Sequence, residues 1–243
     1  MANSDKAITI TILYDNDSFI KGLKSDWGFS CFIKGTEKTI LFDTGGNGEI
    51  LLDNMKKLGV RPEDIQVIFL SHIHGDHTGG LWDLLEKNSN VSVYVPASFP
   101  EDFKEKVRKT GAQLYSIDKE TEILNGVYST GEMGTSIFEQ SLVINSKKGL
   151  IVITGCSHPG IVNIVKKAKE TISRNVYFVT GGFHLLSYST RGIKEIILDF
   201  KELGVQKVGP THCSGSKAKE LFKEAFDDHF VQMGVGKVIE VRD

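Results

Sequence analysis

Apolar and polar positions alternate along this chain in two ways, which predict strands and helices respectively. Short apolar runs rich in β-branched residues indicate buried strands, whereas apolar residues three or four positions apart indicate amphipathic helices. The first half of the chain begins with strands and then alternates the two kinds of segment. We predict strands at 8–14, 28–34, 39–42, 67–70 and 91–95, helices at 48–58, 81–85 and 100–108, and a meander of short strands over 112–144.

The second half repeats one order, strand then loop then helix, three times. The predicted strands span 150–154, 176–180 and 206–208, and the predicted helices span 161–171, 190–203 and 217–226. In each repeat a histidine follows the strand: His158, His184 and His212. We expect these three histidines to converge on one rim, because loops that leave rigid strands can direct several side chains to one place.

Length and composition favour a single globular domain over residues 1–243. Of these residues 40% are hydrophobic and 25% are charged, and no Pro/Gly/Ser-rich linker divides them. The formal net charge of -2 argues against a dedicated nucleic-acid binder. No apolar run reaches the about 20 residues that span a membrane, and the N-terminus lacks the apolar segment of a signal peptide. We therefore expect no nucleic-acid or membrane partner and a cytoplasmic location.

The densest cluster of candidate metal ligands follows the predicted strand at 67–70. The sequence Ser-His-Ile-His-Gly-Asp-His over residues 71–77 places three of the seven histidines and an aspartate within six positions. Gly75 permits the turn, and Thr78 is expected to cap the helix that follows. Imidazole and carboxylate groups together suit divalent transition metals. The sequence therefore predicts a metal site with these candidate ligands: His72, His74, Asp76 and His77.

This motif resembles His-x-His-x-Asp-His, the signature of the metallo-β-lactamase fold. The resemblance extends over nearly the whole chain and implies an α/β protein of the αββα sandwich type, with metals at one edge of the sheets. It implies that His72 and His74 bind one metal together with His158. It also implies that Asp76 and His77 bind a second metal together with His212. The alternatives are that His158 only caps or packs, and that His212 lies beside a helix capped by Ser214.

The sequence Leu-Phe-Asp-Thr-Gly over residues 41–45 resembles an early loop of the same family. A metal-bound imidazole usually donates its other ring N–H to a carboxylate, which fixes the orientation of the ring. We therefore predict that Asp43 orients the metal ligands. The alternative is an aspartate that stabilises only its own turn.

His184 lies where many members of the family carry an aspartate that bridges the two metals. The acids between His158 and His212 all fall within predicted helices: Glu170, Glu195, Asp199 and Glu202. Three alternatives follow: water alone links the metals, His184 joins the coordination, or the second metal is weakly held. His184 could instead contact substrate as an acid, or as an anion partner beside Gly181 and Gly182. Asp76 and His184 are the candidate catalytic residues.

The cysteines and the last histidine leave simpler interpretations open. Cys31, Cys156 and Cys213 are odd in number and far apart, so they do not suggest a disulfide framework. Cys156 and Cys213 each lie near a candidate ligand, either as small packing residues or as metal ligands or redox partners. His229 lies in a polar stretch and is expected at the surface.

Three segments, 154–163, 181–185 and 211–215, resemble one branch of the superfamily, which includes dihydropterin-(ribofuranosyl)aminobenzene 5′-phosphate synthases. The branch motif does not identify a substrate, but the predicted ligand set favours a metal-dependent hydrolase that acts on an ester or phosphoester of a small, phosphorylated molecule. It implies one or two divalent metal ions per chain, zinc in the first place and iron or manganese as alternatives. The competing hypotheses are a pterin-condensing transferase, an iron-dependent redox protein and a non-catalytic metal sensor. The oligomeric state stays open, with a homodimer as one alternative.

Overall fold

The computed structural model describes residues 7–242 and arranges their strands in two sheets. The strands are β1 (Ile8–Tyr14), β2 (Ser30–Lys34), β3 (Ile40–Phe42), β4 (Val67–Phe69), β5 (Ser92–Pro96), β6 (Gln113–Ile117), β7 (Lys119–Leu124), β8 (Val127–Gly131), β9 (Leu142–Ser146), β10 (Gly149–Thr154), β11 (Val176–Gly182), β12 (Lys207–Thr211) and β13 (Val238–Val241). The first sheet has the order β13-β1-β2-β3-β4-β5-β6, and the second has the order β12-β11-β10-β9-β8-β7.

The helices connect these strands and cover the outer faces of both sheets. They are α1 (Gly48–Lys57), α2 (Gly75–Thr78), α3 (Leu81–Lys87), α4 (Glu101–Lys109), α5 (Ile161–Ile172), α6 (Thr190–Glu202) and α7 (Ser216–Phe226). Helix α1 shows the local logic: the side chain of Asn47 caps its first turn, and Leu51 and Met55 on one face are buried. Within residues 7–242, none of the helices has the length and hydrophobicity that crossing a membrane requires.

Three layers of buried apolar side chains hold the molecule together. The middle layer lies between the sheets, where Phe42 and Phe69 of the first sheet face Ile153 and Phe178 of the second. Two outer layers pack helices against the sheets: α1, α3 and α4 against the first sheet, and α5, α6 and α7 against the second. Alternating side chains of each strand thus enter different layers, as the pleat of a strand requires. The arrangement is an αββα sandwich, which confirms the predicted fold class.

Parallel strands bring the candidate loops to one edge of the sandwich. Strands β3, β4 and β5 run parallel in the first sheet, and β10, β11 and β12 run parallel in the second. The loops after β4 and β10 begin at Leu70 and Gly155, so they leave the carboxyl ends of their strands. In open α/β sheets this edge is where ligands bind.

Most predicted strands and helices are confirmed, but three local features differ from the predictions. Strand β13, which was not predicted, pairs antiparallel with β1. The predicted meander over 112–144 is partly wrong, because β6 pairs parallel with β5 and joins the first sheet. Thr78 does not cap the helix after the metal motif. It ends the short helix α2, and its hydroxyl donates to the carbonyl of His74 at 3.1 Å, four residues back.

Candidate metal centre

Three imidazole rings meet where the loops after β4 and β10 approach each other. The ring centroids of His72 and His74 are 4.8 Å apart, and those of His72 and His158 are also 4.8 Å apart. The ring centroids of His74 and His158 are 4.9 Å apart, so the three centroids form a nearly equilateral triangle. Nε2 of His72 lies 3.2 Å from Nδ1 of His74. Nε2 of His158 is buried without a hydrogen-bond partner among the described residues.

A second group of ligand atoms lies beside the first. Nε2 of His77 is 3.3 Å from Nε2 of His212, and Oδ2 of Asp76 is 3.3 Å from His212 Nε2 and 3.6 Å from His77 Nε2. A tetrahedral zinc ion with bonds of about 2.0–2.1 Å separates its ligand atoms by about 3.3 Å. The three atoms therefore stand at the separations that such an ion requires.

Asp43 controls the orientation of two of the imidazoles. Its Oδ2 accepts from Nδ1 of His77 at 2.7 Å, which directs His77 Nε2 toward the second group. The same Oδ2 accepts from the Ser71 hydroxyl at 2.7 Å, and Oδ1 accepts from the Ser71 amide. Because the Ser71 hydroxyl donates to Asp43, it is free to accept from His72 Nδ1 at 2.9 Å. One buried carboxylate thus fixes His77 directly and His72 through Ser71.

His212 is oriented by Asn16, a residue that no sequence motif marked. Nδ1 of His212 lies 3.0 Å from Oδ1 of Asn16, which also accepts from the amide of Gly28. With Nδ1 donating to Asn16, Nε2 of His212 faces the second group without a proton. Ser214 does not cap α7, since its hydroxyl donates to the carbonyl of Thr211 and accepts from the amide of Phe183.

The electrostatics of these groups fit a divalent cation. Burial and the neighbouring imidazoles lower the pKa of His72 well below its usual value, and burial lowers the pKa of His158 to about 4. Both rings are therefore neutral near pH 7 and offer lone pairs. Burial also acts to lower the pKa of His77, but the carboxylates of Asp43 and Asp76 raise it overall. The second group therefore attracts positive charge, and the residues present suit a bound metal.

Glu139 organises the loop that carries His158, although no sequence motif marked it. Glu139 is buried, with 1% of the residue exposed. Oε1 accepts from the hydroxyl of Thr154 and from three consecutive backbone amides at 2.9–3.0 Å, and Oε2 accepts from the amide of His158 at 2.8 Å. Burial raises the pKa of Glu139, while the amides of His158 and Ser157 act in the opposite direction. The carboxylate therefore supplies hydrogen-bond acceptors for the backbone N–H groups of a whole turn, which would otherwise be buried without partners.

The structure places His184 beside the first group, at the edge of a cavity. Its ring centroid is 4.6 Å from that of His158. Both rings line a cavity of about 250 Å³, whose other walls include Ile161, Leu185 and Tyr188. A hydrogen bond with Cys213 raises the pKa of His184. His184 therefore lies within reach of a molecule in the cavity.

Backbone strain is concentrated at this centre. Of the six non-glycine residues with positive φ in the part of the chain that the structure describes, four belong to the centre: Asp43, Ser157, His184 and His212. Their φ angles lie between 47° and 63°, in the left-handed region that most side chains avoid. Such strain persists only where surrounding contacts hold the backbone, and it is typical of functional sites.

We expect Asp43→Asn to weaken metal binding about 10–100-fold, the usual effect of losing a carboxylate partner of a ligating histidine. The amide NH₂ at the Oδ2 position would meet Nδ1–H of His77, so His77 loses the tautomer that leaves Nε2 free. Competition with a chelating indicator measures this affinity. Asp53→Asn is the matched control, because Asp53 is a partly exposed partner of Lys57 on α1. Equal affinity of Asp43→Asn and wild type would contradict the orienting role.

Sequence and structure comparisons agree with this architecture. Residues 28–217 match the sequence model of the metallo-beta-lactamase superfamily. The 7,8-dihydropterin-6-methyl-4-(beta-D-ribofuranosyl)-aminobenzene-5'-phosphate synthase of Methanocaldococcus jannaschii is 32% identical, over 95% of this chain and 95% of its own length. The crystal structure of a metal-dependent hydrolase of the beta-lactamase superfamily has a TM-score of 0.82 at 31% identity, over 97% of this chain and 100% of that one. The metallo-beta-lactamase fold protein YhfI from Bacillus subtilis has a TM-score of 0.73 at 17% identity and covers 97% of this chain and 100% of its own, a likeness of fold alone.

Proposed function

The chain belongs to the metallo-β-lactamase superfamily, and from this premise we propose that it is a metal-dependent hydrolase of a small ester or phosphoester. The observation that carries the proposal is the pair of ligand groups at one sheet edge, directly beside a cavity. We propose that the first group, His72, His74 and His158, holds one divalent ion. The second group, Asp76, His77 and His212, would hold another. Nitrogen and carboxylate ligands suit zinc, with iron and manganese as alternatives.

The chain's own residues have distinct tasks in this proposal. When bound, the metal would acidify a water molecule and polarise the carbonyl or phosphoryl oxygen of the substrate. Asp43 holds His72 and His77 in the orientation that exposes their Nε2 lone pairs. His184, whose pKa is raised by Cys213, keeps a proton to higher pH than an ordinary histidine. It can donate that proton to the oxygen of the leaving group.

The cavity indicates the kind of substrate. Its walls combine two histidines with apolar side chains, and its lining includes neither lysine nor arginine. An organic group would therefore contact Ile161, Leu185 and Tyr188, while the scissile carbonyl or phosphoryl group faces His158 and the ligand groups. A phosphate on the substrate would find its positive partner at the metals. A cavity of about 250 Å³ has room for the organic group of a small molecule.

The test of this proposal is reversible loss of hydrolysis on metal removal. Protein stripped with a chelator and then reloaded with zinc, manganese or iron is assayed on phosphomonoesters, phosphodiesters, carboxylic esters and lactones. We expect turnover that disappears on stripping and returns with the metal. Hydrolysis that is unaffected by complete stripping would overturn the metal-dependent mechanism.

His184→Ala is expected to lower kcat about 10²–10⁴-fold, the usual contribution of a general acid. The metal content should not change, because the His184 ring lies outside both ligand groups. Steady-state kinetics and elemental analysis on the same sample measure the two quantities. Loss of metal together with activity would instead assign His184 to the coordination sphere. An unchanged kcat would contradict the proton-donor role.

A second candidate function is condensation, as in the similar synthase from Methanocaldococcus jannaschii. Two observations favour it: the identity of 32% extends over 95% of both chains, and the ring centroid of the half-exposed Trp27 lies 4.9 Å from that of His212. Aromatic faces suit planar rings such as a pterin. Incubation with a dihydropterin diphosphate and a ribofuranosylaminobenzene phosphate, followed by mass spectrometry, tests this function. Formation of the condensation product together with pyrophosphate, and no hydrolysis of the substrates in the ester panel, would favour the transferase.

Other expectations stay predictions. The iron-dependent redox alternative is tested by visible absorbance of anaerobically purified protein, and the metal-sensor alternative by the same hydrolysis panel. We also propose a small-molecule partner, no nucleic-acid or membrane partner and a cytoplasmic location. A homodimer is one alternative for the oligomeric state.

A further inference from the structure

We propose that the thiol sulfur of Cys156 links the two ligand groups and acts as a metal ligand shared between them. Cys156 Sγ lies 3.3 Å from Nε2 of His77. The sulfur forms one cluster of potential ligand atoms with Asp76, His77 and His212, and another with His72 and His158. Within each cluster all ligand atoms lie within 4.8 Å of one another. This inference rests on the metal centre proposed above and goes beyond it by assigning a sulfur ligand.

The buried carboxylates near the centre are not available for this role. Asp43 is engaged by Ser71 and His77, and Glu139 accepts five hydrogen bonds. Asp15 accepts from the hydroxyl of Thr211 and the amide of Asp17. Asp76 belongs to the second group alone. Among the ligand clusters within residues 7–242, Cys156 is the residue that clusters both with Asp76, His77 and His212 of the second group and with His72 and His158 of the first.

The end of β11 leaves no space for a side chain that would link the groups. A Cβ atom on Gly181 would lie 1.9 Å from the carbonyl oxygen of Thr154. A Cβ atom on Gly182 would lie 2.5 Å from Cys213 Sγ and 2.5 Å from the carbonyl oxygen of Gly155. The two glycines therefore let the loop after β10 approach β11 closely. That loop, and not the end of β11, carries the side chain that lies between the groups.

The position of the sulfur agrees with coordination chemistry. Zinc binds thiolate at about 2.3 Å and imidazole at about 2.0–2.1 Å, so two such ligands of one tetrahedral ion lie about 3.5 Å apart. The observed 3.3 Å from Cys156 Sγ to His77 Nε2 is close to this value. Coordination breaks the S–H bond, forms the sulfur–metal bond and releases one proton to solvent. The Cys156 amide donates to Glu139 at 3.0 Å, so the backbone that carries the sulfur is held in place before a metal binds.

Cys213 provides a matched control within the same centre. Its thiol donates to the carbonyl of Cys156 at 3.5 Å, and its sulfur lies close to the ring of His184. It is buried to the same degree as Cys156, with 3% and 4% exposure respectively. Cys213 shares a ligand group with Cys156 and His184, but it belongs to neither of the two proposed metal groups. A thiolate–metal signal that is lost on substitution of Cys156 and kept on substitution of Cys213 therefore identifies Cys156 as the sulfur ligand.

The experiment uses the whole protein loaded with cobalt(II) in place of the native metal. We expect a near-ultraviolet thiolate-to-cobalt charge-transfer band in wild type and in Cys213→Ser, and no such band in Cys156→Ser. Metal content is expected to fall from about two ions per chain to about one in Cys156→Ser, because one shared ligand is lost. X-ray absorption of the wild-type zinc form should show a sulfur neighbour at about 2.3 Å, a measurement that does not depend on a folded variant.

The outcomes separate this inference from the proposed function. A wild type that binds two cobalt ions without a thiolate band, or a band that persists in Cys156→Ser, would overturn the inference and leave the metal centre intact. A band that disappears in Cys213→Ser alone would assign the sulfur ligand to Cys213 and also overturn it. A wild type that binds no metal after reconstitution would overturn both proposals.

Discussion

His77→Ala is expected to reduce kcat/KM by about 10³-fold or more. A metal ion contributes several kcal/mol of transition-state stabilisation, and each 1.36 kcal/mol corresponds to a factor of ten in rate. His77 is the ligand with the most partners: its Nε2 faces Asp76, His212 and Cys156, and its Nδ1 donates to Asp43. Its removal therefore opens the second ligand group and also frees Asp43. The measurement is kcat/KM on a substrate that wild type hydrolyses, together with metal content.

The same substitution should also destabilise the metal-free protein. Without His77, the carboxylate of Asp43 stays buried with Ser71 alone, and an unsatisfied charged group costs about 1–3 kcal/mol. Urea unfolding of wild type and variant in a chelating buffer measures this loss. His229→Ala is the control, since His229 is exposed and lies in a turn after α7. If His77→Ala and His229→Ala were equally active and equally stable, the second ligand group would have no role.

The sequence predicted those parts of the centre that lie in loops directly after apolar strands. Residues 71–77 form a loop directly after a buried strand, and the strands at 150–154 and 206–208 bring His158 and His212 to the same edge. Local periodicity is enough for this result, because an apolar strand and a following helix fix where the intervening loop must lie. The predicted proximity of Asp43 to the imidazoles also agrees with the observed hydrogen bond to His77.

The supporting residues were not predictable, because their partners are distant in sequence. Asn16 meets His212 across 196 positions, and Glu139 meets the loop of His158 across 19. Neither belongs to a recurring spacing, and each lies in a polar loop whose path depends on tertiary packing. The one sequence signal near Glu139 is that it is followed by a second polar residue, Gln140. The side-chain amide of Gln140 donates to the carbonyl of Leu70. Such contacts follow from how the two sheets face each other, which no local pattern encodes.

Cys156 shows the same limit in a different form. The sequence placed it two residues before His158 but left packing and ligation as alternatives. The turn held by Glu139 fixes the backbone from which the thiol extends, because consecutive amides of residues 155–158 all converge on that carboxylate. The side chains at 156 and 158 therefore take their positions from a buried residue in another loop. The ligand set and its support have to be considered as one unit.

Glu139→Gln is expected to lower the free energy of unfolding by about 2–4 kcal/mol. The substitution keeps the shape of the side chain and an acceptor at Oε1, but it removes the negative charge that five donors share. Hydrogen bonds to charged groups contribute about 1.5–3 kcal/mol each, and a buried donor that loses its acceptor costs about 1–3 kcal/mol. The new NH₂ group at the Oε2 position would oppose the amide of His158, which then has no acceptor. Urea unfolding of the metal-free protein measures the change.

This substitution should also reduce metal binding, although Glu139 is not a proposed ligand. Loss of the His158 amide contact displaces the imidazole that completes the first group, so we expect the affinity for one ion to fall about 10–100-fold. Glu120→Gln is the matched control, because Glu120 is an exposed carboxylate paired with Lys167, and such surface pairs contribute about 0–1 kcal/mol. Stability and metal affinity that change no more in Glu139→Gln than in Glu120→Gln would show that the turn forms without its buried carboxylate. A large joint loss in Glu139→Gln alone would mean that folding of this turn and assembly of the metal centre are one event.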